Sequence, residues 1–306
     1  MERLEHILCN IVSNYPDAIL FSGGIDTSLI TVLTYKFKRV PLVTCFFKEA
    51  EPLDFKYATL LAKQLGAEHH IKYFTVEEAV EATKEVIRIL RVFDPMEIRN
   101  SITIYLGLKF CRDLGFRRIF TGDGSDELFA GYSFLHNKPK EYIKSWIREI
   151  AGRMYFSSKP IGEALDLIVE QPYISREVID LALEIPVGYK VARVDNVVYG
   201  KYILRRILEK YVPKDIAWRS KEPIEYGSGS TKLREIFSQM INDNEFKNLC
   251  HEVKLRDKEQ AYYYKVFKSL GYRIIRAKNS SKRCRYCGSE VSNSVFCRVC
   301  GAYPAI

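Results

Sequence analysis

A compact apolar run, Ala18-Ile19-Leu20-Phe21, passes without a spacer into Ser22-Gly23-Gly24-Ile25-Asp26-Thr27-Ser28, after which Leu29-Ile30-Thr31-Val32-Leu33 continues with helical spacing. A strand that enters a helix through two adjacent glycines is a phosphate-binding arrangement. The amides at Gly23 and Gly24 can approach a ligand unhindered by Cβ atoms, and the helix turns its positive end toward it. The hydroxyls of Ser22, Thr27 and Ser28 add further donors for a pyrophosphate. Asp26 is badly placed among phosphates unless a cation accompanies it, and Mg²⁺ resolves the conflict, because its usual shell is one or two carboxylates with phosphate oxygens and waters. The lysine of GxxxxGK[ST] and the spacing of GxGxxG are both missing, which excludes those two nucleotide loops.

Strand and helix signals alternate from here on. Leu42–Phe47, a run around His70–Phe74 and Arg118–Thr121 read as strands, and helices are expected near 4–14, 53–65, 76–91 and 98–114. This order predicts an α/β fold, a parallel sheet with helices on both faces. Beyond about residue 135 the strand signals stop. Segments near 137–150, 161–170, 174–184, 198–211 and 232–270 carry helical spacing, with breaks at Pro160, Pro172, Pro186, Pro213 and Pro223. Three parts are therefore expected: a nucleotide-binding α/β core over 1–135, a mostly helical completion over 136–277, and a small ribbon over 278–306. The polar stretch Lys278-Asn279-Ser280-Ser281-Lys282 is the expected linker into the ribbon.

Four of the eight cysteines carry the ribbon. Cys284-Arg-Tyr-Cys287-Gly and Cys297-Arg-Val-Cys300-Gly are two CxxCG knuckles, which together complete a tetrahedral S₄ shell suited to Zn²⁺; iron in the same shell or a disulfide pair is the competing arrangement. With every position filled by protein, such a metal serves folding or docking and not substrate. Cys9, Cys45, Cys111 and Cys250 stand singly among apolar neighbours and read as small buried hydrophobes in a reducing compartment. Two adjacent histidines, His69-His70, make no metal pair, since neighbouring strand residues point to opposite faces. Tyr262-Tyr263-Tyr264 reads as the buried face of a helix rather than a base-stacking platform.

The net charge of +9 is uneven: from Arg273 onward there are seven basic residues and one acid, Glu290. That excess favours a polyanionic partner, tRNA or another nucleic acid, although four zinc-bound thiolates would offset part of it. No apolar run spans a bilayer and the first residues carry charges, so a cytoplasmic protein without membrane association is expected.

The loop Ser22–Ser28 resembles the PP-loop of the ATP pyrophosphatases, which split ATP into AMP and pyrophosphate while adenylating a substrate. A second segment, Thr121-Gly122-Asp123-Gly124-Ser125-Asp126-Glu127-Leu128-Phe129-Ala130-Gly131-Tyr132, resembles the SGEGSDELFGGY signature of the asparagine synthetase and β-lactam synthetase branch. Asp94 with Ile98-Arg99-Asn100-Ser101 and Tyr105-Leu106, and Lys201-Tyr202-Ile203-Leu204-Arg205-Arg206 followed by Pro213, Ile216, Trp218-Arg219 and Lys221-Glu222, are similar to two further segments of that branch. The resemblance spans about residues 17–230. It implies an adenine nucleotide alpha-hydrolase-like fold. Ser22, Gly23, Gly24, Asp26, Thr27, Ser28, Thr121 and Gly122 would bind ATP and its pyrophosphate, Asp26 and Asp126 would hold Mg²⁺, and Lys221 and Asp123 would act in catalysis.

Three departures accompany it. Asp123 stands where the branch has glutamate, Glu170-Gln171-Pro172-Tyr173-Ile174-Ser175 replaces R-V-P-F-L-D, and the glutaminase domain is expected to be absent, since the PP-loop begins within about twenty residues of Met1. The function implied is an ATP- and Mg²⁺-dependent synthetase that adenylates a carboxylate, aspartate or similar. Ammonia, free or from a separate glutaminase subunit, or another amine then displaces AMP. Two other functions fit the same residues: a tRNA-modifying enzyme that adenylates a base for sulfur or amine transfer, with the ribbon holding RNA, and a non-catalytic ATP-binding scaffold.

Overall fold

Five short runs pair into one sheet in the computed structural model, which describes residues 1–220, 223–291 and 295–306. The strands are β1 (Ala18–Leu20), β2 (Leu42–Phe47), β3 (His69–Phe74), β4 (Arg118–Phe120) and β5 (Ile168–Glu170), in the order β3-β2-β1-β4-β5. β1 lies parallel to β2, with Ile19 opposite Leu42, and parallel to β4, with Ile19 opposite Phe120; β5 lies parallel to β4. The Leu42 amide donates to Glu68 and the Lys48 amide to Phe74, so both partners advance by the same step and β3 also runs parallel. All six residues of β2 are buried, and because successive side chains point to opposite faces, both faces of that strand are covered.

Strand order fixes where the site can be. From β1 the chain builds outward to β2 and β3 on one side, then returns to place β4 and β5 on the other. The carboxyl ends of β1 and β4 therefore lie side by side at the point where the order reverses, the position at which open parallel sheets bind ligands. The loops leaving those two ends are Phe21–Gly24 and Thr121–Gly124.

By its internal packing the chain divides into a unit of Met1–Thr44, Leu53–Lys72 and Gly107–Pro223, and another of Cys45–Pro52, Tyr73–Leu106 and Ile224–Ile306. The first holds the site loops. Within it, two features differ from the helical reading beyond residue 135. The helix Ser158–Ala164 stops early, Asp166 takes a φ of 56°, and Ile168–Glu170 joins the sheet as β5. A hairpin, β6 (Ala192–Val194) and β7 (Val197–Tyr199), turns through Asp195 and Asn196, whose φ values of 46° and 64° suit the tight turn that matches strand twist.

The second unit is built around an apolar core that includes Phe47, Phe93, Phe237 and Tyr263. Thr75 caps the helix Val76–Leu90 reciprocally with Glu78. Tyr262, Tyr263 and Tyr264 are all buried on the helix Lys258–Ser269, as the sequence suggested, and Phe237 stacks on Tyr262 at 4.6 Å. Arg99 enters this unit paired with Glu225 at 2.8 Å and Glu259 at 2.6 Å, and the Tyr263 hydroxyl donates to Glu259. Among the described residues no helix is long and apolar enough to cross a membrane.

One buried charge in the first unit gives a direct test of the packing. Lys190 is 3% exposed and its ammonium donates to the Ala182 carbonyl at 2.5 Å; burial brings its pKa down to about 8. In the window between about 8 and the ordinary lysine value near ~10.4, the unfolded chain binds more protons than the native state, so stability rises with pH there. Below that window the penalty is complete. Thermal or denaturant unfolding of wild type and Lys190→Met should diverge in pH dependence by about 3 kcal/mol between pH 7.5 and 10.5, the wild type gaining. Parallel curves would place the lysine in water.

Candidate active site

The turn after β1 depends on glycine. Gly23 has a φ of +72°, and a Cβ there would lie 2.5 Å from the Ala58 amide nitrogen, so no other residue fits. Gly24 opens the helix Ile25–Thr34, which carries Asp26, Thr27 and Ser28 in its first turn. The Ser22 hydroxyl accepts from the Gly24 amide at 3.1 Å, and Thr27 Oγ1 accepts from the Ser22 amide at 3.3 Å. The loop is thus folded by its own hydroxyls.

The turn after β4 comes against it. A Cβ on Gly122 would sit 2.9 Å from Asp26 Cβ and 3.0 Å from Thr27 Cγ2, so this glycine lets the two loops touch. Gly124, at φ +91°, starts the short helix Ser125–Leu128, which carries Asp126. The Tyr173 hydroxyl, fully buried and pushed well above the usual tyrosine pKa by burial and then by Asp26 and Asp126, stays protonated and donates to the Asp26 carbonyl at 3.0 Å. Tyr132 donates to Glu127 at 2.5 Å, and burial raises the Glu127 carboxyl to about 7.

Between the two loops lies a side chain that the sequence reading named only as part of a motif. Lys201 Nζ is 2.7 Å from each carboxylate oxygen of Asp26 and 2.9 Å from Asp126 Oδ1. It is 1% exposed; burial alone would lower its pKa, but Asp126 and Asp26 outweigh that and raise it, so it is an ammonium. Room for it comes from Gly131, where a Cβ would be 2.3 Å from Lys201 Cε and 1.9 Å from Asp126 Oδ1.

Arg219 reaches the same loop from downstream. Its guanidinium donates to the Gly23 carbonyl at 3.0 Å, pairs with Asp54 and lies over the Tyr57 ring at 4.0 Å. Arg205 in turn donates to the carbonyls of Ala217 and Arg219 at 3.0 and 2.8 Å. The chain up to Ser220 is therefore fastened beside the first loop; Lys221 and Glu222 lie outside the described residues.

Asp123 is anchored rather than loose. Its Oδ2 accepts from Thr121 Oγ1 at 2.7 Å, Ser158 Oγ at 2.5 Å and Gln171 Nε2 at 3.1 Å, and Gln171 also donates to Ser158 at 2.9 Å. Two departures from the synthetase pattern, Asp123 and the segment containing Gln171, thus meet each other. Glu170 is spent on Arg118, which it holds through two contacts of 2.8 Å, and Ser175 caps the helix Arg176–Glu184.

The donor set fits a hard divalent cation bound together with phosphates. Two carboxylates from separate loops converge on one cation, here the Lys201 ammonium. Beside them Ser28 Oγ and Ser125 Oγ are fully buried with no hydrogen-bond partner among the described residues, a costly state for a hydroxyl unless a ligand satisfies it.

In the second unit Cys284, Cys287, Cys297 and Cys300 bring their Sγ atoms within 4.8 Å of one another, all buried, the one cluster of metal-binding type found among the described residues. Contact with Cys287 and then Cys300 draws the Cys297 thiol pKa down, while contact with Cys297 pushes Cys287 up to about 12. Soft sulfur ligands in this number and spacing suit a closed zinc site. Cys9, Cys45, Cys111 and Cys250 form no disulfide among the described residues, and burial raises Cys111 to about 12, which makes it inert. His69 bonds Thr44 and His70 bonds Glu68, each at 2.7 Å, so the two do not act together.

The asparagine synthase family model matches residues 9–167 and 161–273. Asparagine synthetase B (glutamine-hydrolysing) of Escherichia coli strain K12 is 28% identical over 291 residues, which cover 87% of this chain and 52% of that protein. The glutamine-hydrolysing asparagine synthetase 1 of Lotus japonicus is 28% identical over 286 residues, covering 85% and 48%. The chain spans about half the length of the curated relatives it matches. Among solved structures, an NMN synthetase from Francisella tularensis aligns with a TM-score of 0.40 at 14% identity, covering 91% of this chain and 98% of that one.

Proposed function

Since the chain belongs to the asparagine synthase family, we propose that it is an ATP-dependent, AMP-forming amide synthetase acting on a carboxylate, aspartate or one like it. A carboxylate oxygen attacks the α-phosphorus of ATP, the bond to the departing pyrophosphate breaks, and an acyl adenylate results. Ammonia or an amine then attacks the acyl carbon, AMP leaves, and the nitrogen sheds a proton. One difficult dehydration becomes two feasible displacements.

The observation that carries this reading is the convergence of Asp26 and Asp126, from the helix starts that follow the loops after β1 and β4, on a single cation, the Lys201 ammonium. Ser22, Gly23, Gly24, Thr27, Ser28, Thr121 and Gly122 would bind the pyrophosphate half of ATP, with Asp26 and Asp126 holding Mg²⁺. When bound, Mg²⁺ supplies neutralisation of charge on the phosphate oxygens. Lys221 would stabilise charge building on the α-phosphorus, and Asp123, held by Thr121, Ser158 and Gln171, would face the acceptor. Cys284, Cys287, Cys297 and Cys300 would hold Zn²⁺. Ammonia would be free or delivered by a separate glutaminase subunit, and the protein would work in the cytoplasm. The test is AMP formation from α-labelled ATP with Mg²⁺ and ammonium, with and without aspartate, and with Asp26→Asn as the blank.

A second reading rests on the ribbon. All seven basic residues after Lys268, namely Arg273, Arg276, Lys278, Lys282, Arg283, Arg285 and Arg298, are exposed. If the acceptor is carried on tRNA, affinity for bulk tRNA should fall steeply with salt and should drop at least about tenfold when Lys282 and Arg285 become glutamate. Binding that is absent or indifferent to salt removes this reading.

A further inference from the structure

We propose that Lys201 is a built-in counter-ion that closes the Asp26–Asp126 pair to free divalent metal and opens it only when nucleotide phosphate arrives. The proposal rests on the reading of those two aspartates as metal ligands. It concerns a step before chemistry, the order in which the site can be filled.

The argument begins with charge. Two carboxylates that share one small space repel each other and need a cation between them. Lys201 supplies it at 2.7, 2.7 and 2.9 Å, using both oxygens of Asp26 and one of Asp126. A magnesium ion must reach the same oxygens at about 2.0–2.1 Å and cannot do so while an ammonium occupies the space between them. Bringing it near would also set a double positive charge against a buried single one. The carboxylates are thus satisfied without metal, and free Mg²⁺ gains little by displacing the lysine.

Nucleotide changes the balance. The phosphates bring several negative charges to the loop ends, where the helix Ile25–Thr34 begins and where Ser28 Oγ and Ser125 Oγ have no hydrogen-bond partner among the described residues. The ammonium then has a second set of oxygens to pair with, and the aspartates are released to a divalent cation. One lysine serves both states, as a placeholder in the empty site and as a phosphate contact in the filled one.

The backbone indicates that this placement is imposed. Lys201 has φ 56° and ψ 29°, left-handed values that a lysine keeps only where its surroundings enforce them. Its amide donates to the Phe129 carbonyl at 2.9 Å, which ties it to the second loop, and its neighbour's amide, on Tyr202, donates to the Lys190 carbonyl. Gly131 leaves the gap through which the side chain passes. The lysine is held on its target from behind.

Mn²⁺ serves as the metal probe, its free concentration read by electron paramagnetic resonance with no nucleotide present. Lys201→Met should bind it at least about tenfold more tightly than wild type, and adding Asp126→Asn should abolish that gain. With Mg²⁺ and α,β-methylene ATP the order should reverse, wild type binding the nucleotide at least about tenfold more tightly, since the variant lacks the phosphate contact. Equal Mn²⁺ affinity in the two proteins overturns the proposal. Should Lys201→Met fail to fold, wild type decides alone: half-saturation by Mn²⁺ below about 1 mM without nucleotide would overturn it, and half-saturation only above that concentration together with binding of the Mg²⁺–nucleotide complex would support it. The metal-only comparison needs no substrate. If it gives the expected result while no form binds nucleotide, the synthetase reading and the opening by nucleotide both fall, and only the closure by Lys201 stands.

Discussion

Asp26→Asn is expected to lower aspartate- or acceptor-dependent AMP formation by about 10³-fold, and Asp126→Asn by a similar factor, because each removes half of the charge that would hold the cation on the departing pyrophosphate. The two side chains come from different loops but meet at one ammonium, so they act as a unit. The double variant should then be little worse than either single one, as for groups that share one function. Stability should hardly change. In the free protein each single variant leaves Lys201 paired with one remaining carboxylate, a neutral buried pair, and the fold has no reason to fail. Rates and melting temperatures measured on the same preparations separate the cases: a large rate loss with a preserved melting transition is expected, and a loss below tenfold would take both aspartates out of the nucleotide site.

The residues just named also mark how far the sequence could be read. Both glycine loops are local features, since strand, turn and helix lie within a dozen residues, and their chemistry follows from residue type alone. Lys201 is different. It sits 175 residues from Asp26, and nothing in its neighbourhood announces that a left-handed backbone will aim it back at the first loop. Motif likeness could place it in the synthetase pattern but could not give it a partner. The same holds for Asp123: its shortened side chain was visible, whereas the ring it forms with Ser158 and Gln171 depends on where the strand after residue 167 runs. That strand was missed because three residues are too few to show a period of two. The β6–β7 hairpin did carry a local signal, the Asp195-Asn196 pair, whose side chains tolerate positive φ. Interleaving was least legible of all. Cys45–Pro52 and Tyr73–Leu106 pack with Ile224–Ile306, and contacts of that separation leave no trace in composition or spacing.

If the four-cysteine cluster holds zinc as proposed, removing that metal is expected to unfold more than the ribbon. All four cysteines belong to the same apolar core as Phe93, Tyr264 and Phe267, and the backbone is sewn into that core at several points. The Phe93 amide donates to the Val299 carbonyl at 2.7 Å, the Lys254 amide to Tyr286 at 2.9 Å, and Gln260 Nε2 to Cys300 at 2.8 Å. A Cβ on Gly301 would lie 2.2 Å from Asp94 Oδ1, so the second knuckle is pressed against the residue that leads into the helix Pro95–Asp113. The residues just before the expected linker pair onto the ribbon, Arg276 bridging to Ser289 and the Ala277 amide donating to Gly288, and the linker's Lys282 carbonyl accepts from the Val291 amide at 2.7 Å. Structural zinc contributes on the order of 10 kcal/mol to small domains that enclose it, comparable to the whole stability of an ordinary domain. Without it four thiols would be left buried in contact, with nothing to balance a thiolate. Hydrogen exchange should therefore show lost protection not only over 284–300 but through Phe93–Leu106 and the helix Lys258–Ser269, either after chelation or in Cys297→Ser. The metal content of the purified protein should be close to one zinc per chain. Loss of protection confined to the knuckles would make the ribbon an independent appendage, and protection unchanged by chelation would mean that the four sulfurs hold no structural ion.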